Sequence, residues 1–193
     1  MSKIEVDTID TVTGTSELTI GGTNPTSITL GSGASFSNVS GQNYPAFMVT
    51  RKTIQSISDA TETKIQFNNE IIDTDSAFDS ATNYRFTVPS GKGGSYLIYI
   101  QLTADMGAVS NYSNGYIRIK KNGTEPLTGN QFDARSGTLG RYNTLYSSAL
   151  TSLSATDYLE GYAFLDDTSG SPSIFGQNDN IPYTCMYAIR IGA

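Results

Sequence analysis

The sequence predicts an all-β fold, and three observations carry that prediction. Thr, Ser, Asn and Gly number 24, 23, 13 and 19, together 79 of 193 residues; this composition suits many short strands joined by tight turns. The 12 Tyr and 8 Phe supply the large side chains that sheets bury. Ala, Leu, Glu and Lys, which long amphipathic helices favour, are scarce. The length suits one domain with an appendage, since domains commonly run about 100–200 residues.

Residues 1–44 stand apart as a β-rich segment. No aromatic precedes Phe36, and Lys3 is the only basic residue before Arg51. Ser16-Glu17-Leu18-Thr19-Ile20-Gly21 recurs as Thr26-Ser27-Ile28-Thr29-Leu30-Gly31. Each copy is a short alternating strand closed by glycine, and Ile4-Glu5-Val6-Asp7-Thr8-Ile9 is a looser third example. Such strands bury little surface in one chain, so Ile4, Val6, Ile9, Leu18, Ile20, Ile28 and Leu30 are candidate attachment residues for strands of other copies or of a partner. A disordered Gly/Ser/Thr tail is the alternative.

From Pro45 the pattern strengthens. Strands are predicted at residues 46–52, 64–67, 84–88, 95–104, 115–121, 142–152, 158–165 and 183–191. Tyr96, Ile98, Ile100 and Leu102 alternate with Leu97, Tyr99, Gln101 and Thr103, so one face of that strand should be strongly buried. Tyr183, Cys185, Tyr187, Ile189 and Ile191 form a second such face. Lys121-Asn122-Gly123-Thr124 is a hairpin turn, because Asn-Gly readily adopts positive φ. The last strand, rich in Tyr and Ile, should be tied into the middle of a sheet. Regular turns without helices indicate an antiparallel sandwich or jelly roll.

Charge and missing residue types narrow the function. A net charge of −6 argues against a nucleic-acid partner, which needs clustered Lys and Arg. No apolar run approaches the roughly 20 residues of a membrane helix, and the N-terminus lacks the apolar core of a signal peptide, so synthesis in a cytoplasm is expected. Histidine is absent and Cys185 is the only cysteine, which removes His-dependent catalytic triads, His-ligated zinc and any intrachain disulfide. Gly91-Lys92-Gly93-Gly94-Ser95 lacks the spacing of a phosphate loop and precedes a strand, so a hairpin turn is expected there. No enzyme is expected.

Short segments follow one another in order: Pro45-Ala46-Phe47, Ile65-Gln66-Phe67-Asn68, Phe78-Asp79, Tyr84–Pro89, Gly94–Ile98, Lys121-Asn122-Gly123, Leu153 to Leu159 and the closing strand. This ordered series resembles the globular head of the complement q subunit. The resemblance spans residues 45–193. It implies a tumour-necrosis-factor-like jelly roll of about ten strands that assembles as a homotrimer around apolar and aromatic residues. Tyr96, Ile98, Tyr187 and Ile189 are the candidates for that trimer core, with packing inside one chain as the alternative for each. Animal members carry a signal peptide and Gly-x-y collagen triplets, which this sequence does not show. Residues 1–44 look instead like the N-terminal segments of virion proteins of tailed phages, notably marine and cyanobacterial ones.

Candidate sites remain few. Asp73, Asp75 and Asp79 crowd one segment and are weak calcium candidates. Ala77 occupies a slot where a calcium loop needs an oxygen, so a solvated acidic loop is the better reading, and no cofactor is expected. Tyr112, Tyr116 and Tyr142 sit among Asn, Ser and Gly and are candidates for an adaptable outer surface, with residues 104–115 and 131–141 as its loops; filling an inner sheet face is the alternative. The expected function is therefore a non-enzymatic phage virion protein, made in the host bacterial cytoplasm and displayed on the virion surface. It would be a capsid decoration or short fibre anchored to capsid or tail proteins through residues 1–44. The alternatives are a tail fibre or tip that recognises a host glycan or protein, and a bacterial surface adhesin.

Overall fold

The computed structural model describes residues 45–108, 111–134, 140–168, 170–176 and 181–192. The candidate attachment residues Ile4, Val6, Ile9, Leu18, Ile20, Ile28 and Leu30 lie outside them. Among the described residues there are thirteen strands and no helix. These are β1 (Ala46–Thr50), β2 (Gln55–Ser56), β3 (Thr63–Lys64), β4 (Asn69–Asp73), β5 (Phe78–Asp79), β6 (Arg85–Thr87), β7 (Gly94–Asp105), β8 (Tyr112–Lys121), β9 (Glu125–Asp133), β10 (Tyr142–Leu153), β11 (Tyr158–Asp167), β12 (Ser173–Ile174) and β13 (Cys185–Gly192).

Two antiparallel sheets pack face to face. The seven-stranded sheet runs β2-β12-β7-β13-β1-β4, with β10 also paired to β7; the six-stranded sheet runs β5-β6-β11-β8-β9, with β3 on β11. The expected jelly roll is therefore what forms. Strand β13 lies between β7 and β1, in mid-sheet as its composition predicted.

Alternation builds the core. Tyr96, Ile98, Ile100 and Leu102 of β7 are wholly enclosed, facing Ile117 and Ile119 of β8 and Leu159, Ala163 and Leu165 of β11 in one buried cluster. Phe47 stacks on Phe86 at 4.6 Å between ring centroids, joining β1 to β6 across the sandwich. At Gly161 the layers meet so closely that a Cβ would sit 2.9 Å from both Ile100 Cδ1 and the Phe67 ring. Along one edge the sheets are laced by side chains: Thr128 and Ser147 hydroxyls lie 2.6 Å apart, and Asn130 Nδ2 donates to the Tyr146 carbonyl at 3.0 Å.

Local chemistry explains the boundaries. Asn122 and Gly123 both adopt positive φ, 53° and 77°, in the turn from β8 to β9. A register shift follows between Ile119 and Lys120, next to Pro126, which has no N–H to give the ladder. The glycine-rich segment before β7 is a turn, with Lys92 N–H on the Pro89 carbonyl at 3.1 Å. Its Gly93 carbonyl accepts from both Nε and Nη2 of Arg190, so it presents an acceptor where phosphate would need donors. Strands β4 and β9 were not anticipated, because polar and charged residues dominate both. The two segments expected as loops are strand at their ends: β7 continues to Asp105, β8 begins at Tyr112, and β9 extends to Asp133.

Candidate functional site

Strand pairing lays out the outer face of the seven-stranded sheet as cross-strand rows, because partners in an antiparallel ladder point to the same side. One row reads Ala46, Ile189, Leu97, Leu150. The next reads Ile72, Met48, Tyr187, Tyr99, Ser148, and the third Asn69, Thr50, Cys185, Gln101, Tyr146. No charged side chain lies in any of the three. Leu150 is 68% exposed, Tyr146 61%, Ile191 52% and Ile189 42%. Tyr99 and Tyr187 stack at 4.7 Å, and Tyr99 donates to Gln101 Oε1 at 2.8 Å. Burial, with Cys185 and Tyr187 nearby, pushes the Tyr99 phenol up, so this face stays uncharged near neutral pH. An exposed, continuous apolar and tyrosine face of this kind marks a contact surface.

The six-stranded sheet presents the opposite chemistry outward. Its rows read Lys64, Tyr162, Arg118, Gly129 and Glu160, Lys120, Pro126. Lys64 Nζ lies 2.5 Å from Glu160 Oε1, Lys120 pairs with Glu62, and Tyr162 donates to Glu160 Oε2 at 3.0 Å. Desolvation, followed by the Glu160 contact, pushes the Tyr162 phenol up to about 12. Arg118 lies over the Tyr116 ring at 4.0 Å and Lys120 over Tyr162 at 4.5 Å.

The four residues expected at a subunit contact divide between two environments. Tyr96 and Ile98 are enclosed within the single chain, Tyr96 donating to the Lys92 carbonyl at 2.7 Å. Tyr187 and Ile189 lie on the outer face. The alternation expected along β13 is present, but its tyrosine face points away from the second sheet, because Met186, Ala188 and Arg190 take the inward positions. Of the tyrosines expected at the surface, Tyr112 is buried, its hydroxyl bonded to the Ala104 and Arg141 carbonyls. Tyr116 stacks on Phe164 in the six-stranded sheet. Tyr142 is half exposed at the rim of the uncharged face. Leu97 and Leu150, central to that face, were not singled out, although alternation in residues 142–152 puts Tyr142, Tyr146 and Leu150 on one side.

The acidic segment caps turns. Asp73 accepts from the N–H groups of Ala77 and Phe78 at 3.0 and 2.8 Å, and Thr74 donates to Asp75 at 2.7 Å. Asp79 accepts from Ala81, Thr82 and Asn83; those bonds, with Thr82 first, hold its carboxyl down at about 2. Among the described residues no three His, Cys, Asp or Glu side chains converge as a metal site would require. Burial pushes the Cys185 thiol up to about 11, away from nucleophilic use.

No protein-family model matches the chain, and comparison with curated proteins finds no match. Among solved structures, murine APRIL superposes with a TM-score of 0.52 at 13% identity, covering 77% of this chain and 100% of that one. Eiger TNF from S. frugiperda gives 0.52 at 14% identity, covering 78% and 94%. The globular domain of zebrafish complement 1qA protein gives 0.48 at 16% identity, covering 76% and 97%. At these identities the likeness to the first two shows the fold: an all-β sandwich of the tumour-necrosis-factor-like jelly-roll type.

Proposed function

We propose that the chain is a non-enzymatic structural protein that works as a homotrimer, a capsid decoration or short fibre of a tailed phage, with residues 1–44 anchoring it to the particle and the jelly roll outward. The observation that carries this reading is the uncharged outer face of the seven-stranded sheet, with Leu150, Tyr146, Ile189 and Ile191 exposed on it. Such a face in water costs free energy at about 25 cal/mol per Å² of apolar surface, and closed association of identical copies covers it while leaving no free face to propagate aggregation. Similarity to tumour-necrosis-factor and complement-q domains, which form trimers, supports three copies. The anchoring role rests on the alternating repeats of residues 1–44 and their likeness to phage virion segments.

Solution mass tests the assembly. Light scattering on the full chain should give about 62 kDa, three times the 20.7 kDa of one chain, and a chain beginning at residue 41 should remain trimeric. A stable monomer would remove the trimer reading. Labelling the N-terminus and locating it on purified virions tests the anchor, and deletion of residues 1–40 should leave a folded knob that no longer joins the particle.

A further inference from the structure

The uncharged face changes character along its strands. From Leu97, six residues or about 20 Å further along β7, lies Thr103, paired with Thr144 of β10. Strand β13 begins only at Cys185, opposite Gln101. Beyond that point its place is taken by β12 and the chain around it. Phe175 N–H bonds the Thr103 carbonyl at 2.8 Å, and the Tyr183 carbonyl accepts from Gln101 Nε2 and Thr103 Oγ1, each at 3.2 Å. The outcome is a recess of about 350 Å³ lined by Thr103, Tyr142, Thr144, Phe175 and Tyr183.

Three of its five lining side chains are aromatic, and they form walls instead of a stack. Tyr142 meets Phe175 at 5.2 Å and 65°, and Phe175 meets Tyr183 at 5.3 Å and 78°. The floor is hydroxylic. Thr103 gives its single proton to the Tyr183 carbonyl, so Thr144 donates across the 2.8 Å hydroxyl contact and keeps its own lone pairs for an incoming donor. The phenol groups of Tyr142 and Tyr183 have no hydrogen-bond partner among the described residues. No lining residue is charged. Arg141, 4.9 Å over the Tyr142 ring, is neutralised by Asp105, the cross-strand partner of Tyr142, with Nε–Oδ1 2.7 Å and Nη2–Oδ2 2.9 Å.

We infer that this recess binds a neutral sugar ring. Aromatic walls suit the C–H faces of a pyranose, and the Thr144, Tyr142 and Tyr183 hydroxyls suit its rim. An ionic ligand would lose its hydration with no opposite charge among the lining residues to replace it. The recess is built within one chain, so the inference stands independently of the trimer.

Saturation-transfer NMR on the full chain tests it, using the methyl pyranosides of glucose, galactose, mannose, fucose, rhamnose and N-acetylglucosamine, with sialic acid as the charged control. At least one neutral glycoside should take up saturation through the C–H protons of one ring face, while sialic acid takes up none. Tyr142→Ala should weaken binding about tenfold, the worth of one aromatic contact. Thr144→Val, similar in shape and exposed, should weaken it by a smaller factor. Both positions are exposed, so the variants should keep a cooperative melt, and light scattering on the same samples reads the trimer separately. Silence from all six glycosides, an equal response from sialic acid, or a response that survives the Tyr142→Ala, Thr144→Val double variant would overturn the inference.

Discussion

The outer faces of the two sheets both carry tyrosines, and what surrounds those tyrosines differs. On the six-stranded sheet each ring has a cation over it: Arg85 over Tyr158 at 4.3 Å, Arg118 over Tyr116 at 4.0 Å and Lys120 over Tyr162 at 4.5 Å. The Glu62 carboxylate then holds two of those cations, Arg118 and Lys120, in place. On the seven-stranded sheet Tyr99 lies against Tyr187, with Met48 in the same row, Leu97 and Leu150 in the neighbouring row, and no ion among them. A tyrosine therefore does not by itself make a surface wet or dry. Its cross-strand neighbours decide, because a ring covered by a hydrated cation is already suited to water, whereas a ring among aliphatics still has apolar area to bury.

Breaking the apolar side should have the largest effect. The double variant Leu150→Lys, Ile189→Lys puts like charges into one cross-strand row and should reduce the solution mass to the 20.7 kDa of a single chain. The fold itself should survive, because both side chains are already exposed in the single chain. Arg118→Ala on the other sheet, measured alongside, should leave the mass unchanged. A mass that responded equally to both would erase the distinction between the faces.

The charged side should show its own asymmetry. Glu160 is nearly enclosed, whereas Lys64 keeps a third of its side chain in solvent. Lys64→Met strands a buried carboxylate with Tyr162 as its remaining partner and should cost about 2–3 kcal/mol in denaturant melts, toward the lower end for broken buried pairs. Glu160→Gln leaves a lysine that turns to water and should cost about 1 kcal/mol. Equal losses would mean that burial does not set the energetics of this pair.

Acid should leave the three uncharged rows alone and act where carboxylates are capped. The Asp79 carboxyl, in β5 at the edge of the six-stranded sheet, is held at about 2 in the folded chain, against about 3.9 when unfolded. Its contribution is present above the unfolded value and is lost as pH falls from about 4 toward 2. Thermal melts of Asp79→Asn should accordingly lose stability relative to the parent at neutral pH and converge with it in acid. Association through the uncharged face should not change between about pH 5 and 8, where no residue of its rows titrates. The smallest effect is expected at Glu125, whose side chain is 58% exposed in its pair with Lys121: Glu125→Ala should shift stability by no more than about 0.5 kcal/mol.

Much of the fold was legible because alternation and turn chemistry are local. β7, β8, β10, β11 and β13 all fall where alternating residues placed them, and the Asn122-Gly123 turn lies where positive φ was needed. β9 escaped because its exposed residues, among them Gln131, Asn130 and Gly129, carry no apolar period; pairing to β8 and lacing to β10 hold it as a strand. The Asp73–Asp79 segment read as a solvated acidic loop, but which N–H groups its carboxylates cap depended on a backbone path no composition shows. The candidate site was legible only in pieces, and the recess beside Thr103 and Thr144 was not legible, since Tyr142, Phe175 and Tyr183 meet from separate strands and loops.

The sequence by itself determined which residues share a face. With a period of two, Tyr96 must lie with Ile98 and Ile100, and Tyr187 with Ile189 and Ile191, in any sheet they join. Which of those faces turns inward was decided only by tertiary structure. Both sets are tyrosine and isoleucine, equally fit to be buried, and nothing within either strand distinguishes them. Pairing of Tyr187 with Tyr99, and of Ala188 with Ile98, sends the first pair out and the second in. The six-stranded sheet covers one side of that ladder and leaves the other open, because a sheet has two faces and a two-layer sandwich buries one.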